Sequence, residues 1–234
     1  MEFIGKGQLR KRESGGFRSV DYEMRFGDES CLKGILSLQE RVADRLPDPE
    51  IYRLDSEEGL RERLKHPKST ICVFSENEIV AYCAITFPSA GEDHFGKDLC
   101  FTDEELSKSA HLEATAVHPD FRGNSLQRLV SQTHLQVLEG LGIEYVLCTA
   151  SPKNYYSLRN LFFFQFRIRA MKVKYGWMNR FILVKETRKE PRRYEDMVRL
   201  GSERIEQQRA LLSAGYEGFQ AEREGPEFFI LYGR

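Results

Sequence analysis

One run of residues in the middle of the chain has the types and spacing for chemistry: Val117-His118-Pro119-Asp120-Phe121-Arg122-Gly123-Asn124-Ser125-Leu126-Gln127. It leads from the end of an apolar strand into the start of a helix. A turn with small residues lets backbone N–H groups point outward, and the helix N-terminus adds about half a positive charge. The chemistry such a turn supports is the binding of a phosphate or diphosphate. Just upstream, Glu113 lies among Leu112, Ala114 and Ala116, an apolar setting for a carboxylate. Period-two alternation puts Glu113 on one strand face with His111, Thr115 and Val117. Glu113 or His111 is therefore placed to accept a proton. His118, before Pro119, reads as a surface residue.

A second run follows the next strand: Asn154-Tyr155-Tyr156-Ser157-Leu158-Arg159-Asn160-Leu161-Phe162-Phe163-Phe164-Gln165-Phe166. With the first run it resembles the GCN5-related N-acetyltransferases (GNAT). Their pattern is a Val, a Pro two residues on, an aromatic, then Arg-Gly-x-Gly-x-Gly/Ala, and later Asn-x-x-Ala/Ser with a Tyr and a closing Gly-Phe. Val117, Pro119, Phe121, Arg122, Gly123, Asn154, Ser157 and Phe166 match. Ser125 and Gln127 replace the second and third glycines, Leu161 replaces the Tyr and Gln165 the last glycine. The resemblance implies acetyl-coenzyme A as co-substrate and no metal. It implies coenzyme contacts at Val117, Arg122, Gly123, Asn124, Ser125, Leu126, Gln127, Asn154 and Ser157, with the Val117 N–H facing the developing oxyanion. It also implies direct attack of an amine on the thioester. The amine must first lose a proton, to Glu113 or alternatively His111. The family's usual general acid is missing at Leu161. The alternative is a catalytically weak module of the same fold that binds coenzyme A or a partner protein.

These residues need elements to hold them. Leu32, Ile35, Leu36, Leu38, Val42 and Leu46 fall at helical spacing, with Ser30 as N-cap and Pro47 as the stop. Residues 56–66 read as a second helix. Residues 69–75 and 79–87 read as a hairpin around Glu76-Asn77-Glu78. Then come a strand at 112–117, a helix at 124–141, a strand at 145–149, a helix at 154–165 and a final hairpin at 168–175 and 180–185. The strand, crossover helix and strand at 112–149 should pair in parallel. The expected fold is α/β, a GNAT-type mixed central sheet flanked by helices on both faces, with a C-terminal helix-strand extension. The divisions are an N-terminal arm at 1–21, the acetyltransferase domain at 22–186 and the extension at 187–234. The arm is expected to be mobile or to add one strand. A Rossmann-like nucleotide binder would need a Gly-rich turn after its first strand, which residues 22–34 lack.

Charge and cysteines bound the partners. Lys plus Arg is 35 and Asp plus Glu 36, a balance that argues against a nucleic-acid footprint. No apolar run approaches the ~18 residues of a membrane span. Five scattered cysteines without a CxxC pair argue against a disulfide framework or zinc site and for a reducing cytoplasm. The expected partner is a small-molecule or peptide amine, and a homodimer is allowed. Asp48, Glu50 and Asp55 in one loop, and Glu92, Asp93, Asp98, Asp103, Glu104 and Glu105 in another, read first as solvated loops and alternatively as an acidic approach for a cationic amine. Tyr155 and Tyr156 read as packing or coenzyme contacts, and Phe162, Phe163, Phe164 and Phe166 as core. The basic residues Lys6, Arg10, Lys11 and Arg12 read as a solvated tail.

Overall fold

The computed structural model describes residues 1–88, 93–190 and 192–234. In chain order the elements are β1 (Phe3–Glu13), β2 (Gly16–Phe26), α1 (Leu32–Ala43), α2 (Glu57–Leu64), β3 (Thr70–Ser75), β4 (Glu78–Thr86), α3 (Asp103–Ser107), β5 (Ser109–Val117), α4 (Leu126–Gly140), β6 (Tyr145–Ala150), α5 (Tyr155–Phe163), β7 (Arg167–Lys174), β8 (Met178–Glu186), β9 (Met197–Gly201), α6 (Ile205–Ser213), β10 (Glu217–Glu224) and β11 (Glu227–Gly233). The fold is mixed α/β, and it separates into two compact units. One comprises residues 1–86 and 112–140, the other 87–111 and 141–234.

In the first unit the strand order is β1-β2-β3-β4-β5. Tyr82 and Ala84 of β4 pack with Leu32, Ile35, Leu38, Leu60 and Leu64 of α1 and α2. Cys83 between them hydrogen-bonds Ser131 of α4. Adjacent residues of a strand point to opposite faces, so β4 carries helices on both. Asp28, rather than the expected Ser30, caps the entry to α1: its carboxylate accepts from the Ser30 N–H at 3.0 Å, over a 3-10 turn. Ser56 caps α2 by accepting from Gly59 N–H at 3.1 Å. Of the two expectations for the arm, mobile or one added strand, the second is nearer: residues 3–13 form an 11-residue strand, β1, in antiparallel register with β2 from Phe3–Arg25 to Glu13–Gly16, and β2 itself starts within the arm. Its alternation escapes hydropathy reading because only Leu9 of β1 is buried.

In the second unit, residues 109–111 of β5 pair in parallel with residues 145–147 of β6. Beyond β6 the order is β8-β7-β10-β11-β9. Phe95, Leu147, Ile182 and Val184 form a core there. Among its described residues the C-terminal extension contains three strands and α6, two strands more than expected. β10 meets β7 at Gly218–Ile168, and a Cβ at Gly218 would stand 2.8 Å from Ile168 Cδ1, so only glycine permits that approach. Of the four phenylalanines assigned to the core, Phe166 is fully buried, whereas Phe163 is exposed. Glu92 lies outside the described residues.

Candidate acetyl-coenzyme A site

The turn after β5 keeps the backbone its sequence has partly disguised. Gly123 has φ 90° and Ser125 φ 58°. The left-handed region costs an L-residue about 1 kcal/mol and favours glycine. Ser125 stands where the acetyltransferase pattern has its second glycine, so the conformation survives the substitution. A Cβ at Gly123 would meet nothing within 4 Å, and Arg122, Gly123 and Ser125 are exposed. The first intrahelical bond of α4 runs from Leu129 N–H to the Ser125 carbonyl at 3.0 Å. The N–H groups before it have no intrahelical acceptor. Open space, an exposed guanidinium and a helix N-terminus fit a diphosphate at this turn. Leu126 is buried and Gln127 half-buried, so these two can offer backbone rather than side-chain contacts. Val117 is the half-buried last residue of β5.

Asn124 is occupied differently. Its Oδ1 accepts from Arg10 N–H at 2.8 Å, and its Nδ2 donates to the Arg10 carbonyl at 2.8 Å and the Phe121 carbonyl at 2.9 Å. The amide thus completes the open backbone edge of β1 and ties that strand to the turn. Sequence reading could not find this bond, because its partners are 114 residues apart. His118 is a second correction. It is largely buried rather than a surface residue. Its Nδ1 accepts from Asp120 N–H at 3.2 Å, and its Nε2 is 3.2 Å from Arg41 Nη1. Burial lowers its pKa.

Glu113 is half-buried, and its Oε1 accepts from the Thr86 hydroxyl at 2.8 Å. Arg63 of α2 adds an electrostatic interaction with it. Arg63 is itself paired with Asp55 at 3.2 Å, and both side chains are largely buried. Burial opposes the Arg63 charge, yet Asp55 and Glu113 more than offset it and raise its pKa. The Asp55 carboxylate also accepts from Tyr82 OH at 3.4 Å, and Tyr82 OH is 3.0 Å from Tyr52 OH. Burial raises the pKa of both phenols, which stay protonated. Gln39 closes the network, accepting from Asp55 N–H at 2.8 Å and Tyr52 OH at 3.3 Å. Sequence reading missed this constellation. Its only signal was the polar Gln39 on the apolar face of α1.

His111 belongs to the other unit. It is 1% exposed and stacks on Phe95 with ring centroids 4.0 Å apart. Its Nε2 accepts from Phe95 N–H at 3.3 Å. Asn154 caps α5, its Oδ1 accepting from Ser157 N–H at 3.1 Å. Leu161 is buried. Gln165 has φ 65°, and Phe166 N–H reaches back to the Leu161 carbonyl at 3.1 Å. This left-handed helix stop normally takes glycine, which explains the glycine of the family pattern. Tyr155 and Tyr156 meet the C-terminal hairpin: Arg223 donates to Tyr156 OH at 2.9 Å, and Tyr155 lies 5.4 Å from Phe228 between ring centroids.

The acidic loops are mostly employed in structure. Asp48 accepts from Glu50 N–H at 2.8 Å. Asp93 and Asp98 both pair with Lys174, at 2.8 and 2.7 Å. Glu104 pairs with Lys108, and Glu105 completes a capping box with Thr102. Among the described residues no group of three or more His, Cys, Asp or Glu side chains could hold a metal. No described helix is long and apolar enough to cross a membrane.

Comparison with known proteins agrees with the fold. Solved structures that share the fold include the following three. An N-acetyltransferase from Staphylococcus aureus Mu50 has TM-score 0.54 at 11% identity, covering 71% of this chain and 99% of that one. The putative acetyltransferase yncA from Salmonella typhimurium, solved with its cofactor acetyl-CoA, has TM-score 0.55 at 13% identity, covering 74% and 97%. The ribosomal-protein-S18-alanine N-acetyltransferase from Escherichia coli has TM-score 0.53 at 12% identity, covering 75% and 99%. No curated protein sequence matches the chain. The sequence model of the Acetyltransferase (GNAT) family matches residues 36–161, more than half of the chain, and the protein belongs to that family.

Proposed function

We propose that the protein transfers an acetyl group from acetyl-coenzyme A to an amine. One observation carries the reading: Ser125 keeps the left-handed backbone of a glycine at the turn into α4. A serine is strained there, and binding of a diphosphate by the turn gives a reason to keep that conformation. Arg122 and the backbone N–H groups of residues 123–127 hold the diphosphate. Asn124 acts through its backbone, since its side chain is committed to β1.

Acetyl-coenzyme A, when bound, supplies an activated thioester. Glu113 takes a proton from the incoming ammonium so that the amine lone pair can attack. Arg63 interacts electrostatically with Glu113, and Thr86 fixes the carboxylate with a hydrogen bond. The Val117 N–H offers a hydrogen bond to the oxygen on which negative charge develops. Burial and stacking of His111 leave the proton to Glu113. With Leu161 buried where the family's acid stands, the departing thiolate is protonated by solvent. The test is thiol release from acetyl-coenzyme A with a panel of primary amines, for the wild type and Glu113→Gln. Turnover that the substitution suppresses at unchanged coenzyme affinity supports the reading. Turnover unaffected by the substitution removes Glu113 from the mechanism.

A second reading is favoured by the buried Leu161. A chain without the usual acid acts as a binding module for coenzyme A. Tight coenzyme binding with no turnover across the amine panel would select it.

A further inference from the structure

We infer that the β1–β2 hairpin, which precedes the family-matched residues 36–161, is a recognition element for the 3′-phosphate of coenzyme A, through Arg10 and Arg12. The inference rests on the coenzyme reading above and deepens it.

The hairpin divides its cations between two faces. Lys11 shares a face with the buried Leu9 and is paired with Glu76 at 2.6 Å. Arg18 is paired with Glu76 at 2.6 Å and Glu13 at 2.8 Å. Arg10 and Arg12 alternate with Lys11 and point to the opposite face. Among the described residues neither forms an ion pair. Their guanidinium carbons lie instead 5.6 and 5.8 Å from the centroid of Phe17, the direct cross-strand partner of Arg12. Phe17 is 60% exposed. Two uncompensated cations two residues apart repel each other, and a dianion between them would remove that repulsion.

The position of this pair is fixed by Asn124. Two hydrogen bonds of 2.8 Å hold the Arg10 backbone to the Asn124 side chain, one residue from Gly123. Lys11 Nζ lies 5.9 Å from the Phe121 ring centroid and reinforces the attachment. The Arg10 backbone, and with it the hairpin that carries the two guanidiniums, is therefore anchored to the turn proposed for the diphosphate. In coenzyme A the 3′-phosphate is one ribose away from the diphosphate, within the span of an arginine side chain. Arginine forks match phosphate oxygens in a bidentate manner, and an exposed aromatic ring held beside them offers a stacking surface to the attached adenine.

The test is calorimetric titration of the full chain with coenzyme A and with 3′-dephospho-coenzyme A, for the wild type and for Arg10→Gln/Arg12→Gln. The expected result is wild-type binding of coenzyme A at least tenfold tighter than the dephospho form. The double variant should bind coenzyme A at least tenfold more weakly and the dephospho form as before. Both side chains are exposed, and circular dichroism checks that the variant is folded. Equal wild-type affinity for the two ligands, or a variant that weakens both alike, overturns the inference while leaving the coenzyme site in place. A folded wild type that binds neither ligand overturns the proposed function and this inference with it.

Discussion

His134 sets how the stability of the first unit depends on pH. It lies on α4, fully buried, with Nε2 3.3 Å from the Lys68 carbonyl. A carbonyl only accepts, so Nε2 carries the proton and Nδ1 has the lone pair. Nδ1 is buried without a hydrogen-bond partner. A second proton would go there, as an unsolvated charge with nothing to receive its hydrogen bond. Burial accordingly lowers the His134 pKa from 6.5 to about 3, with the Lys68 carbonyl opposing only in part. The unfolded chain takes up a proton near pH 6.5 and the folded chain does not. The unfolded state therefore binds more protons, and stability falls as pH drops below 6.5. The slope approaches about 1.4 kcal/mol per pH unit for one proton, or about 2 kcal/mol lost by pH 5. Burial also lowers the pKa of His118 in the same unit, which adds slope of the same sign, and that of His94 in the other unit. His134→Gln keeps a donor for Lys68 and cannot titrate. Urea unfolding followed by circular dichroism, between pH 7.5 and 4.5, should show the variant losing about 2 kcal/mol less than the wild type on going from pH 7 to 5. Parallel profiles for the two proteins would refute the account of a neutral, buried His134.

Asn124→Ala removes both bonds to Arg10 and should cost about 1–2 kcal/mol, since a net hydrogen bond contributes about 1 kcal/mol and water can reach this edge. Hydrogen exchange at the Arg10 amide should accelerate, and an unchanged rate would contradict the clasp. Gln165→Gly relieves a left-handed backbone and should stabilise by roughly 1 kcal/mol in urea unfolding. Glu113→Gln should reduce turnover by about 10²–10⁴-fold, the usual contribution of general base catalysis. Its KM for acetyl-coenzyme A should hardly move.

The sequence is most legible where one element buries one face. The helical spacing of α1, the hairpin around residues 76–77 and the strand-helix-strand unit from β5 to β6 can all be read from apolar periodicity. β1 and β10 cannot. β1 reads as a charged tail, and β10, Glu-Gly-Phe-Gln-Ala-Glu-Arg-Glu, has charges at half its positions. Their stability comes from cross-strand partners distant in sequence. The same division runs through the site. The Arg122–Gln127 turn is visible locally because its residues adjoin in sequence. The left-handed Ser125 is not, because serine carries no sign of that backbone. The Asp55–Arg63–Glu113 network is assembled from α2, β5 and the loop before α2, and the sequence shows it only as scattered charges. The structural partners of the acidic loops are hidden for a related reason. A run of carboxylates says nothing of the lysines that meet it, and Lys174 is 81 residues from Asp93.

The most direct test of the central claim is isothermal titration of the protein with acetyl-coenzyme A, repeated with Ser125→Trp. The account predicts micromolar binding by the wild type, lost in a folded variant whose indole fills the space over the turn. A folded wild type that binds no acetyl-coenzyme A, or a variant that binds it equally well, would contradict a diphosphate site at residues 122–127.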